Sequence, residues 1–268
     1  MRVLKLGLKG PDVLALQQAL AAKGFSPGNL DSSFGRGTQM AVAAFQASEG
    51  LLSDGIAGPR TQAALGLVAS NHLPDATGDA SVQIVAEMFP ATPIGNIKRN
   101  LPIVLEGLRK RGLHDRGMVL MALATIRAET APFMPLNEGV SRFNTSPNGH
   151  PFDLYDNRRD LGNQGPPDGA RFKGRGFVQL TGRANYRTYG PRLLAPADLE
   201  EFPDLATATE IAADLLALFL ADREPQIKDA LMHGNLMAAR QLVNGGVHGL
   251  ADFTAAFETG DRLMPAAH

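Results

Sequence analysis

The stretch IRAETAPFMPLNE, residues 126–138, holds two carboxylates, Glu129 and Glu138, with Pro132 and Pro135 between them. On an unbroken α-helix, nine residues make two and a half turns. Glu129 and Glu138 would then lie on opposite faces, roughly 13 Å apart along the axis. Proline in a helix interior loses a hydrogen bond and clashes with the preceding turn, so the helix is predicted to stop near Ala131 and the chain to fold back. Upstream, Met118, Val119, Leu120, Met121, Leu123, Ala124 and Ile126 make residues 115–131 apolar almost all round, the pattern of a buried central helix. A glutamate at the end of such a helix is partly desolvated and sits at the negative end of the helix dipole. Both effects disfavour the charged carboxylate and suit Glu129 to proton donation. A second carboxylate on the loop after the helix can face the first across a cleft, the arrangement that glycoside hydrolysis requires.

The totals bound what else the chain can be. Its 268 residues are 44% hydrophobic and 20% charged, the balance of a soluble globular protein of one or two domains. A net charge of −1 offers no electrostatic case for nucleic acid or an anionic membrane. Cysteine is absent, which excludes disulfides and thiol catalysis. The six histidines, His72, His114, His150, His233, His248 and His268, are scattered without ligand spacing, which weighs against a zinc amidase or peptidase. No metal or cofactor is called for. The opening residues lack an apolar leader and no window reaches membrane-spanning length. The expectation is a protein folded in a cytoplasm, with no stable membrane insertion.

Residues 1–65 carry an internal echo. Asp31, Gly35, Thr38, Gln39, Ala41 and Val42 recur at the same offsets as Asp54, Gly58, Thr61, Gln62, Ala64 and Leu65. Each unit reads as a turn followed by a short helix that the threonine caps or begins. An earlier helix, 12–23, carries Val13, Leu16 and Leu20 at helical spacing and stops at Gly24. These three helices predict a small bundle over residues 1–67. Residues 68–80 lose periodicity and read as a linker, and residues 81–268 form a second, larger and mainly α domain.

Within that domain, residues 82–89, 96–110, 208–220 and 236–243 read as further helices. Residues 140–176 read as a long irregular loop, of a length that is usually functional or disordered. Phe143, Phe152, Tyr155 and Phe172 argue for order and suit the wall of a sugar-binding cleft. The run FKGRGFVQLTGR, residues 172–183, has glycines that permit close backbone approach. If extended, it sets Gln179 and Thr181 on one side. Gln179, Asn185 and Asn244 could equally serve buried backbone groups.

Two resemblances sharpen this reading. Gly7, Gly10, Val13, Leu16-Gln17, Leu20 and Gly24, then Asp31, Phe34-Gly35, Thr38, Ala41-Val42 and Phe45-Gln46, then Gly50-Leu51, Asp54-Gly55-Ile56, Gly58 and Thr61, resemble the type 1 peptidoglycan-binding domain. Ser32 departs from it, standing where that family usually has glycine. The second domain resembles glycoside hydrolase family 19, in the short-looped branch that includes phage and prophage endolysins. The likeness lies in Ala128–Phe133, Asn137-Glu138-Gly139, Leu161-Gly162-Asn163, Asp168–Tyr186 and Val243–Gly246. Ala128 replaces that family's histidine, and Ala131-Pro132 its Gly-Gly pair.

The second resemblance implies a lysozyme-like α fold and an inverting reaction without cofactor. It implies Glu129 as general acid, Glu138 as general base, and Thr181 as a hydroxyl that helps hold the water. Gln179, Asn185 and Asn244 fall at sugar-binding positions, and Tyr155 joins them as substrate-binding. Asp153 and Asp156 are the fallback bases. The two resemblances together imply an endolysin-type muramidase that cuts the β-1,4 bond between N-acetylmuramic acid and N-acetylglucosamine. It would act on the wall as a monomer, after release from the host cytoplasm through a holin. A chitinase and a non-catalytic wall-binding protein are the alternatives.

Overall fold

A computed structural model of the chain describes residues 3–67 and 74–265. Residues 68–73 of the expected linker lie outside these. The protein is mainly helical, with a single two-stranded sheet among the described residues, and divides into two compact units, Met1–His72 and Leu73–His268.

The first unit contains α1 (Pro11–Ala22), α2 (Arg36–Ser48) and α3 (Pro59–Ala64). Leu4, Val13, Leu16, Leu20, Phe34, Val42 and Phe45 form its core, and Phe25 meets Phe45 edge to face at 5.5 Å. Gly24, at φ 87°, takes the left-handed turn that stops α1. The internal echo has a physical basis. Gln17 Nε2 donates to Asp31 Oδ1, Ser33 O and Thr38 Oγ1 at 3.2, 3.1 and 3.1 Å, and its Oε1 accepts from Ser32 N. Gln46 repeats the pattern on Asp54 Oδ1, Ile56 O and Thr61 Oγ1 at 2.9, 2.9 and 3.1 Å, with Oε1 accepting from Gly55 N.

Each buried glutamine thus ties an Asp turn to the helix before it. Here the structure corrects the helix-start expectation. Gly35 and Gly58 are the N-caps, without side-chain capping, and Thr38 and Thr61 are buried acceptors one turn in. Ser32 stands at φ 64° where the second turn has Gly55 at 71°, so the serine takes a backbone conformation that glycine adopts more easily.

The second unit is built around α6 (Arg116–Glu129). Every residue from Met118 to Ile126 is buried, so this helix has no solvent face. Asp115 caps it by accepting from Met118 N. Around it stand α4 (Val82–Met88), α5 (Ile94–Lys110), α10 (Thr209–Ala221), α11 (Glu224–Met232), α12 (Leu236–Asn244) and α13 (Leu250–Leu263). Helix α13 lies closely along α6 because Gly260 has no side chain. A Cβ there would stand 2.5 Å from Leu120 Cδ2. Residues 74–80, which composition assigns to the linker, are packed: Ala76 and Ala80 are buried in this unit's core.

The expected long loop, preceded by β1 (Leu136–Asn137), contains α7 (Asp153–Asp156), α8 (Asp168–Arg171) and β2 (Arg175–Gly176), and α9 (Arg183–Tyr189) follows it. Strand β1 pairs antiparallel with β2, Leu136 opposite Gly176 and Asn137 opposite Arg175.

Replacing Gln17 or Gln46 with alanine removes the donor to three acceptors, in one Asp turn and the helix after it, and the acceptor of one turn N–H. Each substitution should destabilise its turn by about 2 kcal/mol. Amide exchange in the affected turn and preceding helix, followed by mass spectrometry, should accelerate by at least about tenfold. Unchanged exchange would show that the glutamine does not hold the turn.

Candidate active site

Helix α6 ends at Glu129, with Thr130 as C-cap, two residues before the expected stop. Beyond it three carbonyls in succession are each taken by a side chain from the start of α5 or the turn before it. Thr92 Oγ1 donates to Ala131 O, Asn96 Nδ2 to Pro132 O at 2.9 Å and Asn100 Nδ2 to Phe133 O at 2.7 Å. Asn96 and Asn100, four residues apart in α5, lie on one side of that helix. Phe133 takes φ 54° and drops its ring into the core against Phe89 and Phe177. This turn, without the Gly-Gly pair, leads directly to β1 and Glu138.

Glu129 is paired with a cation that the helix pattern does not reveal. Arg240 Nη2 donates to Glu129 Oε1 at 2.6 Å, and the arginine is wholly buried. Arg240 also donates to His248 O, from Nε at 3.2 Å and Nη2 at 3.0 Å. Asn244 Nδ2 donates to the same carbonyl at 3.0 Å, while its Oδ1 accepts from Gly246 N. Asn244 therefore shapes the turn that holds Arg240. Gly249 allows that turn to close on α6, since a Cβ there would lie 3.1 Å from Ala128 Cβ and 3.5 Å from Arg240 Nη2. The small side chain at 128 and the glycine at 249 are two sides of one tight contact.

Glu138 is held by neutral donors. Asn144 Nδ2 and the Tyr155 hydroxyl each donate to Oε1 at 2.9 Å, and Gly174 N donates to Oε2 at 2.9 Å. Burial, with the bond to Glu138, pushes the Tyr155 phenol up to about 12, so it stays a donor. A carboxylate has about four lone-pair sites. These three bonds leave one, on Oε2. Gly174 is needed for this approach, because a Cβ there would lie 3.1 Å from Glu138 Oε2 and 2.8 Å from Gln179 Oε1.

The remaining expected residues join Glu138 through the backbone. Gln179 takes φ 51° at the tip of a hairpin closed by Arg175 and Leu180, so the extended run expected here is instead a tight turn. Its Nε2 donates to Leu136 O and Gly176 O, each at 3.0 Å, bracing the β1–β2 pair. Thr181 Oγ1 donates to Gln179 O at 2.9 Å, and Asn185 Nδ2 to Thr181 O at 2.7 Å. The amide nitrogens of Gln179, Asn185 and Asn244 all serve backbone carbonyls. Of the four aromatics expected on a cleft wall, Phe152 and Phe172 are buried and Phe143 is exposed, while Tyr155 points its hydroxyl at Glu138. Asp153 is engaged by Ser146, and Asp156 by Gly169 N and His150. Both fallback bases are thus committed to the loop itself.

The expected residues fall into two groups: Glu129 and Asn244, joined through Arg240 and His248 O, in one, and Glu138, Tyr155, Gln179, Thr181 and Asn185 in the other. Residues 130–137 join them. Arg240, Asn144 and Gly174, which hold the two glutamates, are not among the residues expected from the sequence. Gly174 lies within the glycine run already noted for close approach. Arg240 is 111 residues from its partner and carries no local signal.

An ion-pair network backs the second group. Arg183 binds Asp168 and Glu200, and Arg187 also binds Glu200. The Arg187 and Arg183 guanidiniums hold the Glu200 carboxyl down to about 2. A folded value below the ordinary 4.5 stabilises the protein above that pH, and the contribution is lost as pH falls towards 2. Glu200→Gln should therefore flatten part of the stability loss between about pH 4.5 and 2, read as urea midpoints against pH. Arg240→Met should lower unfolding free energy by about 3 kcal/mol through loss of the buried pair. An unshifted midpoint would remove Arg240 as the support of Glu129.

Comparison with known proteins places residues 9–65 in a match to the putative peptidoglycan binding domain. A spore cortex-lytic enzyme of Bacillus cereus is 43% identical over 61 residues, 23% of this chain and 24% of that protein. A chloroplastic protein disulfide isomerase of Arabidopsis thaliana is 50% identical over 58 residues, 20% of this chain and 15% of that protein. The matches thus span a quarter or less of these curated relatives. Among solved structures, chitinase C from Streptomyces griseus HUT6037 aligns over 70% of this chain and 79% of its own, at 16% identity and a TM-score of 0.43. A Burkholderia AP3 phage endolysin aligns over 97% and 100%, at 21% identity and a TM-score of 0.25. The first unit thus carries, over residues 9–65, the sequence pattern of a peptidoglycan-binding domain.

Proposed function

We propose that the protein is a peptidoglycan-cutting glycosidase, a muramidase with an inverting acid–base mechanism, held on its polymer by the first unit. The observation that carries this reading is the setting of Glu138. Its carboxylate is fixed by three donors and keeps one acceptor site on Oε2, where a water can give up a proton. Thr181, whose hydroxyl hydrogen is spent on Gln179 O, keeps an oxygen able to accept from a water.

Glu129 is the proton donor in this reading. Arg240 holds Oε1, and Oε2 has no protein partner among the described residues. As Glu138 takes a proton from water, the water oxygen bonds to the anomeric carbon. The glycosidic C–O bond breaks as Glu129 protonates the leaving oxygen. Exchange with solvent restores both groups. Inversion requires the carboxyls to stand roughly 6.5–9.5 Å apart, leaving room for the water. The peptidoglycan-binding pattern of residues 9–65 supports the wall as the place of action, since tethering raises the local concentration of substrate. The name of the Bacillus relative, a spore cortex-lytic enzyme, points the same way for the part it shares.

Glu129→Gln and Glu138→Gln should each lower the rate on purified sacculi by at least about 10²-fold, the scale of a lost general acid or base. Mass spectrometry of the digest should show new reducing-end N-acetylmuramic acid. Liberated stem peptides would replace this reading with a peptidase or amidase. Equal turnover of chitin oligomers would replace it with a chitinase.

A further inference from the structure

Two cations neighbour, along the chain, residues that donate to Glu138, and neither has a carboxylate partner among the described residues; the Lys173 ammonium lies 5.3 Å from the Phe152 ring centroid. Arg142 stands two residues before Asn144, which donates to Glu138 Oε1. Lys173 immediately precedes Gly174, which donates to Oε2. Two residues of chain span at most about 7 Å, so both cations are rooted beside groups that touch the carboxylate. The other arginines nearby are committed: Arg158 to Asp160, Arg171 to Glu201 and Arg175 to Asp204. Arg159 also lacks a carboxylate partner among the described residues, but neither it nor its chain neighbours donates to Glu138.

The turn bearing Arg142 is anchored. Asn144 is fully buried, gives hydrogen bonds to Glu138 and Gly139 O, and accepts from Ser141 N at 2.8 Å. Between the buried Asn144 and Arg142 lies Phe143, 74% exposed, with the Arg142 guanidinium 4.9 Å from its ring centroid on one face. The opposite face is open to the apolar face of a pyranose ring. A strand that carries carboxylates and approaches Glu129 and Glu138 meets like charge, which costs binding unless cations stand nearby. A neutral chitin strand needs no such compensation.

We propose that Arg142 and Lys173 are specificity-determining residues that select a carboxylate-bearing glycan, with Phe143 stacking on the sugar. The stem peptides of peptidoglycan supply such carboxylates. This inference rests on the proposed role of Glu138 and assigns the substrate class of that same site.

The test compares kcat/KM of the full chain on sacculi with free carboxylates against the same sacculi after carbodiimide-driven amidation. The wild type should prefer the free form by about tenfold or more, the scale of two exposed charge contacts. In the Arg142→Gln/Lys173→Gln double variant that preference should fall towards one, through KM, and Arg142→Lys should restore much of it. Added salt should erode the wild-type preference and leave the double variant's little changed. A wild-type preference near one, or a double variant with the wild-type preference, overturns the proposal. Glu138→Gln separates the two readings. If it is inactive on both forms and the preference does not move, only the selectivity proposal fails. If it stays active, the assignment of Glu138 fails first.

Discussion

A helix buried on every side has only its ends for polar chemistry. In α6 nine consecutive residues from Met118 to Ile126 are buried, and the surrounding helices leave no solvent face. That burial dictates the path of the chain beyond the helix. The helix must surface at Glu129, and the carbonyls of the turn after it are taken by side-chain donors. Thr92, Asn96 and Asn100 supply them, one carbonyl each. With the turn so held, Phe133 can enter the core and residues 136–138 can run as an edge against Arg175 and Gly176. Glu138 is thereby delivered to its donors.

The two glutamates are set by different chemistry. Glu129 meets a buried guanidinium through one oxygen, and Glu138 meets an amide, a phenol and a backbone N–H through both. An ion pair at the end of an apolar helix and a cradle of neutral donors are distinct environments for two like groups. The expected sugar-binding amides have a second duty here. Gln179 braces the two-stranded sheet, Asn185 secures the strand-to-helix turn, and Asn244 shapes the turn under Arg240. Each carries a carbonyl oxygen as well, so holding the backbone and meeting a ligand are not exclusive.

Much of this is legible in the residues, and for local reasons. The buried character of α6 follows from its unbroken apolar run, and its end from Pro132. The three helices of the first unit follow from spacing, and the repeated Asp turns from the repeat itself. Thr38 and Thr61 read as caps because they are cap-forming residue types near helix starts, while the partners that claim them, Gln17 and Gln46, belong to the preceding helices. Phe152 and Phe172 read as a cleft wall because aromatic side chains in a polar loop look exposed. Phe172 is buried in the domain core, and Phe152 is buried beside Tyr155 and the Lys173 ammonium.

The sequence by itself determined the elements governed by neighbours along the chain: the helical periods, the proline stop, the glycine turns and the positions of the acidic residues. Only the tertiary structure decided the partners. Arg240 reaches Glu129 across 111 residues and Gly174 reaches Glu138 across 36. Such pairings depend on where separate helices and turns come to rest. The stretch 126–138 holds both glutamates, but every side chain that holds them lies elsewhere in the chain.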